Sequence, residues 1–326
     1  TVTIPGTPHH NIVLNGGGVR QTSGVLTING NLAINSSNLQ LSGSPLGNLI
    51  LNGNLTGSGL ILTGNSRISI NGTGALGTLN FGTGTSTLSI NRLDLNRTSS
   101  GNITLGTNLT ITGVSSLTNG DINLNGNKLS MNGAITFPAS AANGVFVGST
   151  TSSLEIGGSG TITNNLLLSQ SSSSTKAIKE IILNRSGANL TLGNAVEAWG
   201  SITPTVGTII TGGNLTLKAD GSNKGRIGQI GSSGALSGNV TVEVFKPAGV
   251  TGWVNLCSGG VVGNNMGSWN SSFAITCSVC PDGWSVGSNT FTSLYEYDET
   301  AATGNAADPL HYIELGVTPT SKPLDS

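Results

Sequence analysis

Three cysteines lie near the C-terminal end, Cys257 and the "CSVC" pair Cys277 and Cys280. A Cys-x-x-Cys pair does redox chemistry when a helix N-terminus stabilises its thiolate, but nothing around "CSVCPDG" reads as helix. Zinc takes four ligands, and here three cysteines stand without a neighbouring histidine. A disulfide from Cys257 to either Cys277 or Cys280 suits an exported protein and leaves one thiol over. Further on, "YEYDET" (295–300) gathers carboxylates. Strand alternation places Glu296 and Asp298 on one face, opposite Tyr295 and Tyr297. Hard cations take clustered carboxylate oxygens, so Glu296 and Asp298 are a weak calcium candidate. The spacing of a calcium loop is absent, and a solvated strand face with no metal is the expectation.

The aromatic residues Trp253, Trp269, Trp284 and Tyr295 could stack on sugars or anchor a partner. The plainer expectation is that they form the core of a small C-terminal domain. Adjacent His9 and His10 read as an exposed pair, not as ligands. "GGSGTITNN" (157–165) has clustered glycines, but neither the spacing nor the following helix of a phosphate-binding loop. It reads as a corner. Asn-x-Ser/Thr triplets such as Asn54-Leu55-Thr56 and Asn214-Leu215-Thr216 follow from the composition and do not argue for glycosylation.

Cleavage of a polysaccharide needs paired carboxylates, or a cation with a basic residue, converging on one face. Before Glu243 the acids are Asp94, Asp121, Glu155, Glu180, Glu197 and Asp220, and only Asp94 and Asp121 come near matching positions. No catalytic residue and no cofactor are expected, and the chain reads as a non-enzyme.

What must position any such residues is unusual. The 326 residues include 50 glycines, with 8% charged and 4% aromatic residues, where about a quarter of residues in ordinary globular chains are charged. Disordered chains combine low hydrophobicity with high net charge; this one is 36% hydrophobic with a net charge of −1. Thirteen basic and 14 acidic residues, thinly spread, make no footprint for nucleic acid. No apolar run reaches the ~18 residues that read as a membrane span, so direct insertion is not expected. The opening "TVTIPG" has neither an initiator Met nor a charged n-region, which reads as a mature form or an excised segment.

Repeats explain the composition. "LTING" (26–30), "LILNG" (49–53), "ISING" (68–72), "LSIN" (88–91), "LTITG" (109–113) and "LSMNG" (129–133) recur about every twenty residues, with further triplets between them. "LDLNRTSSGNITLGTNLTI" (93–111) also aligns with "IILNRSGANLTLGNAVEA" (181–198). Alternation sends Leu49 and Leu51 to one side and Ile50 to the other. Strands this short cannot stand alone, but stacked coil on coil they close parallel sheets around a thin Leu/Ile core. Gly and Asn suit the corners, since both reach positive φ cheaply. Asn52, Asn71, Asn91 and Asn132 follow equivalent triplets and predict a stacked Asn ladder. "STKAIKEIILNR" (174–185) has helical composition, but its match to "LSINRLDLNR" (88–97) predicts loop then strand. The expected architecture is all-β: a parallel β-helix over residues 1–240 at about 20 residues per coil, then a β-rich, sandwich-like cap over 241–326.

The runs "LNRSGANLTLGN" (183–194), "GGNLTLKADG" (212–221), "GRIGQIGSSGALSGNVTVEVFKPAG" (225–249) and "FTSLYEYDET" (291–300), with "VTIPGTP" (2–8), resemble the repeat regions of Bacteroidota type IX secreted adhesin-like cell-surface proteins. That resemblance implies a right-handed parallel β-helix followed by β-rich modules, and a role in surface attachment or surface-layer structure. "LNGNLTG" also resembles autotransporter and filamentous-haemagglutinin passengers, which share the β-helix. The expected location is extracellular, at the cell surface. The expected partners are a cell-surface or polysaccharide ligand, or a second copy joined end to end as a filament or surface-layer subunit. A β-helix polysaccharide-degrading enzyme is the remaining alternative.

Overall fold

The computed structural model describes residues 2–41, 47–62, 64–82, 89–98 and 102–245, together with the backbone strands Tyr295–Tyr297 and Tyr312–Glu314. The chain divides into two units, Thr1–Val250 and Thr251–Ser326. The first is an all-β solenoid of parallel strands, about ten turns spaced roughly 22 residues apart. In the second, the two backbone strands pair antiparallel, with Tyr295 opposite Glu314 and Tyr297 opposite Tyr312.

Period-two alternation accounts for the solenoid wall. In Leu26–Ile28 and Asn48–Leu51, the first and third apolar positions are buried and the residue between them is half-buried. Parallel register then stacks like on like. Leu26, Leu49, Ile68 and Leu93 form one interior column, and Ile28, Leu51, Ile70 and Leu95 the next. Each is at most 1% exposed, and burying a Leu or Ile side chain contributes roughly 1.5–3 kcal/mol. The thin core is thus built from repetition rather than from large side chains. Larger groups enter in the middle turns, where Phe137 and Phe146 meet edge to face with centroids 5.8 Å apart.

Successive turns approach so closely at the corners that some positions admit no side chain. A Cβ on Gly53 would run into the carbonyl of Gly30, one turn earlier, and into its Cα. Backbone cannot yield as a flexible side chain can. Gly53→Ala is expected to cost about 1–3 kcal/mol through overpacking, read as a lower urea midpoint; an unchanged midpoint would show that the corner opens freely.

The later turns depart from the short-strand pattern. Ala177–Thr191 and Val196–Ile210 are strands of 15 residues each, paired in parallel along their length with register shifts at the bends. The strand begins at Ala177 after a turn, so the loop-then-strand reading of 174–185 holds despite the helical composition. Ile178, Ile181 and Leu183 are buried, and Lys176 Nζ reaches Glu197 Oε1 of the next turn at 3.0 Å. Tertiary burial overrides local helix propensity here. Val240–Val242 pairs in parallel with Leu215–Leu217, so the solenoid runs past residue 240, and these residues do not belong to a separate β-rich module.

Two arginines sit inside this wall. Arg97 is 1% and Arg185 0% exposed, and they occupy matching places in the longer repeat, each after Leu-Asn. Arg97 donates through Nη2 to Thr73 O at 2.7 Å and to Asn54 Oδ1 at 3.2 Å, and through Nε and Nη1 to the carbonyls of Gly74 and Asn71. Arg185 donates to Gly157 O through Nε at 2.9 Å and Nη2 at 2.6 Å, to Gly160 O at 3.1 Å and to Met131 O at 3.1 Å. Neither forms an ion pair with a carboxylate among the described residues. Burial lowers both guanidinium pKa values, yet arginine stays charged. Each guanidinium donates to several carbonyls of earlier turns at once, and buried carbonyls need such donors.

Candidate functional site

The strands Arg67–Thr73 and Arg92–Thr98 are seven residues long, where the preceding Asn48–Leu51 has four. Their sequences, "RISIN" and "RLDLN", send Ile68, Ile70, Leu93 and Leu95 inward. The residues between them face outward. In-register pairing sets Arg67 beside Arg92, Ser69 beside Asp94, and Asn71 beside Asn96. Two adjacent guanidinium groups repel one another, and the neighbouring column relieves this through Asp94.

Arg67 Nε lies 2.8 Å from Asp94 Oδ2, and Arg92 reaches Oδ1 through Nη2 at 2.8 Å and both carboxylate oxygens through Nε at 2.9 Å. The hydrogen bond to Asp94 raises the Arg92 pKa above the ordinary arginine value, against the opposing effect of partial burial. Asp94 is the most enclosed of the three, its side chain 18% exposed against 43% for Arg67 and 38% for Arg92. Exposed ion pairs add about 0–1 kcal/mol to stability, so the cluster contributes little to holding the fold. It carries a formal charge of +1.

Beside it lies an open cleft of about 390 Å³, lined by Arg67 and Asp94 together with Ile50, Ser69, Asn71, Leu95, Asn96, Ser116 and Thr118. Its far wall is irregular. Leu95 pairs with Leu117 but Asn96 pairs with Asn119, leaving Thr118 as the extra residue of a bulge, with its Oγ1 bonded to Leu95 O at 3.1 Å. Bulges re-aim side chains at the edges of functional sites.

Asparagines stack along one side of this face. Asn52 Nδ2 donates to Asn29 Oδ1 at 2.8 Å and Asn71 Nδ2 to Asn52 Oδ1 at 3.2 Å. Asn119 Nδ2 donates to Asn96 Oδ1 at 2.7 Å and Asn143 Nδ2 to Asn119 Oδ1 at 2.9 Å. Among the described residues no side-chain bond joins Asn71 to Asn96. The ladder breaks at the cleft and leaves Asn71 Oδ1 and Asn96 Nδ2 there without a side-chain partner.

The expected column of Asn52, Asn71, Asn91 and Asn132 is therefore not one column. Asn91 and Asn132 follow Ile90 and Met131 on a different sheet, and Thr112 stands between them, after Ile111. The cause is the variable turn length. Asn71 follows Asn52 by 19 residues, but Asp94 follows its neighbour Ser69 by 25, and "LSIN" (88–91) falls inside that longer turn. Asp94 and Asp121 also separate, since Asp121 pairs with Asn102 on another sheet. The glycines of "GGSGTITNN" form a corner, with Gly158 and Gly160 at positive φ and the carbonyls of Gly157 and Gly160 turned toward Arg185, but the stretch then enters the strand Ile162–Thr163.

Cys257, Cys277, Cys280, Trp253, Trp269, Trp284 and Asp298 lie outside the described residues. Tyr295 and Glu296 belong to a backbone strand whose side chains are likewise outside them. Sequence reasoning missed Arg67 and Arg92. The signal was present: "RISIN" and "RLDLN" share an Arg four residues before an Asn, a coincidence worth weight in a chain with only 13 basic residues. The chain matches no known protein family, no curated protein and no solved structure.

Proposed function

We propose that the chain is a non-catalytic, extracellular scaffold of the cell-surface adhesin type, a stiff β-solenoid that presents its polar faces for attachment. The observation that carries this reading is the in-register stack itself. About ten turns repeat the same inward Leu/Ile and outward Ser, Thr and Asn, which gives a long hydrogen-bonded surface from few residue types. The resemblance of "LNRSGANLTLGN" and its companions to secreted adhesin-like repeats supports the location.

The test is retention of purified protein on polysaccharide-coated and cell-derived surfaces, with reducing sugar assayed in the supernatant. Retention without sugar release is expected. Release of reducing ends from pectin, alginate or glucan would replace this reading with that of an enzyme.

A second reading is end-to-end assembly, since exposed strand edges template pairing with other chains. Electron microscopy over a range of concentrations separates the two: single particles for the attachment scaffold, fibres for the assembling subunit.

A further inference from the structure

We propose that the cleft lined by Arg67 and Asp94 binds an anionic saccharide, the Arg67 guanidinium holding its acid group and the surrounding hydroxyls and amides holding its ring hydroxyls. This deepens the attachment reading, on which it rests, by naming the ligand class.

The argument begins with unused donors. Arg67 spends only Nε on Asp94, and Arg92 spends Nε and Nη2. Among the described residues nothing accepts from Arg67 Nη1 or Nη2, or from Arg92 Nη1. Asp94 meanwhile takes bonds from both arginines and from Ser69 Oγ at 3.5 Å. Its charge is engaged in orienting the two forks, which leaves a net positive site. A planar guanidinium with its terminal nitrogens free suits a carboxylate or a sulfate.

The rest of the lining selects among anions. Ser69, Ser116 and Thr118 supply hydroxyls, and the break in the ladder supplies the Asn71 Oδ1 acceptor and the Asn96 Nδ2 donor. Ile50 is an apolar outward side chain between the hydroxyls of Thr27 and Ser69. Nucleic acid needs stacking rings or a broad basic surface, and the cleft has neither. Acidic peptide motifs are taken by clusters of arginines, whereas hydroxyl and amide groups beside one lining guanidinium match a sugar ring bearing an acid. Its volume of about 390 Å³ lies within the roughly 300–1,000 Å³ typical of small-molecule sites.

The experiment is calorimetric titration of the whole chain with four probes: trigalacturonate, its methyl ester, a sulfated neutral trisaccharide, and triaspartate. Binding of the uronate or the sulfated sugar is expected, weakening as salt rises, with the ester at least about tenfold weaker. The first two probes separate carboxylate from sulfate as the group held. Arg67→Gln is expected to weaken binding about tenfold or more, with thermal unfolding unchanged because the side chain is partly exposed. No binding by either acidic sugar would overturn the proposal, as would equal binding of ester and acid, equal binding of triaspartate, or no effect of Arg67→Gln. Surface retention runs alongside: wild type and Arg67→Gln retained equally would leave the attachment reading standing and this site refuted, whereas a wild type that is not retained at all refutes the attachment reading.

Discussion

Leu51→Asp is expected to destabilise the solenoid by more than about 4 kcal/mol, while Ile50→Asp costs under about 1 kcal/mol. The two residues are neighbours and differ only in the face they occupy. Leu51 is 1% exposed between Ile28 and Ile70, so a carboxylate there loses its water and meets only hydrocarbon. Ile50 points outward between Thr27 and Ser69 and lines the cleft with Arg67, where a carboxylate gains a cation. A one-residue slip in register would reverse the pair. Solenoids are stabilised turn by turn, so the damage has an address. Amide exchange is expected to quicken around 26–28, 48–51 and 67–73 and to stay slow in Ala177–Thr191 and Val196–Ile210. Equal losses in the two variants would refute the register; uniform loss of protection along the chain would refute turn-by-turn stability.

Arg185→Met carries the second large effect, a loss of about 3 kcal/mol or more in urea unfolding. Methionine fills much of the same space and donates nothing. The carbonyls of Gly157 and Gly160 lose the donor that Arg185 gives them, while Met131 O keeps only the backbone N–H of Gly157. Arg185→Lys is expected to fall between methionine and wild type, because one ammonium cannot reproduce a fork that spans two turns. Arg97→Met acts on another corner several turns away, through Gly74, Asn71 and Thr73. Independent sites add, so the double variant is expected to lose the sum. Replacing buried polar groups by hydrocarbon is sometimes neutral. A methionine variant as stable as wild type would show that the corner carbonyls find other donors, and that the arginines are not what closes them.

These arginines mark where local reading reached its limit. The motif "LNR" occurs twice, at 95–97 and 183–185, and the longer repeat aligned the two copies. Alternation places each Arg on the inward face, two residues after an inward Leu, but a charged residue in a strand is ordinarily solvated, so the letters alone do not say that it stays there. The inward turn becomes favourable only when an earlier corner offers several carbonyls at once. That corner lies 25–28 residues back for Arg185, and its geometry depends on glycines at positive φ. The long strands Ala177–Thr191 and Val196–Ile210 were hidden for a related reason. Their bends are register shifts between paired strands, and a shift is a property of the pair.

The sequence by itself determined the class of fold and the facing of individual residues. Alternation of apolar and small polar residues is local, so Leu49 and Leu51 in, Ile50 out, and the corner at 157–160 follow from a few neighbouring letters each. Tertiary structure alone decided which residues meet across turns. Corner lengths vary, and the same Gly, Asn, Ser and Thr appear in every corner, so the step from "ISING" leads not to "LSIN" at 88–91 but to "LDLN" at 93–96. That one choice of partner puts Arg67 against Asp94, breaks the asparagine ladder between Asn71 and Asn96, and opens the cleft between them. Pairing strength summed over a whole turn chose that partner, and no single stretch of sequence contains such a sum.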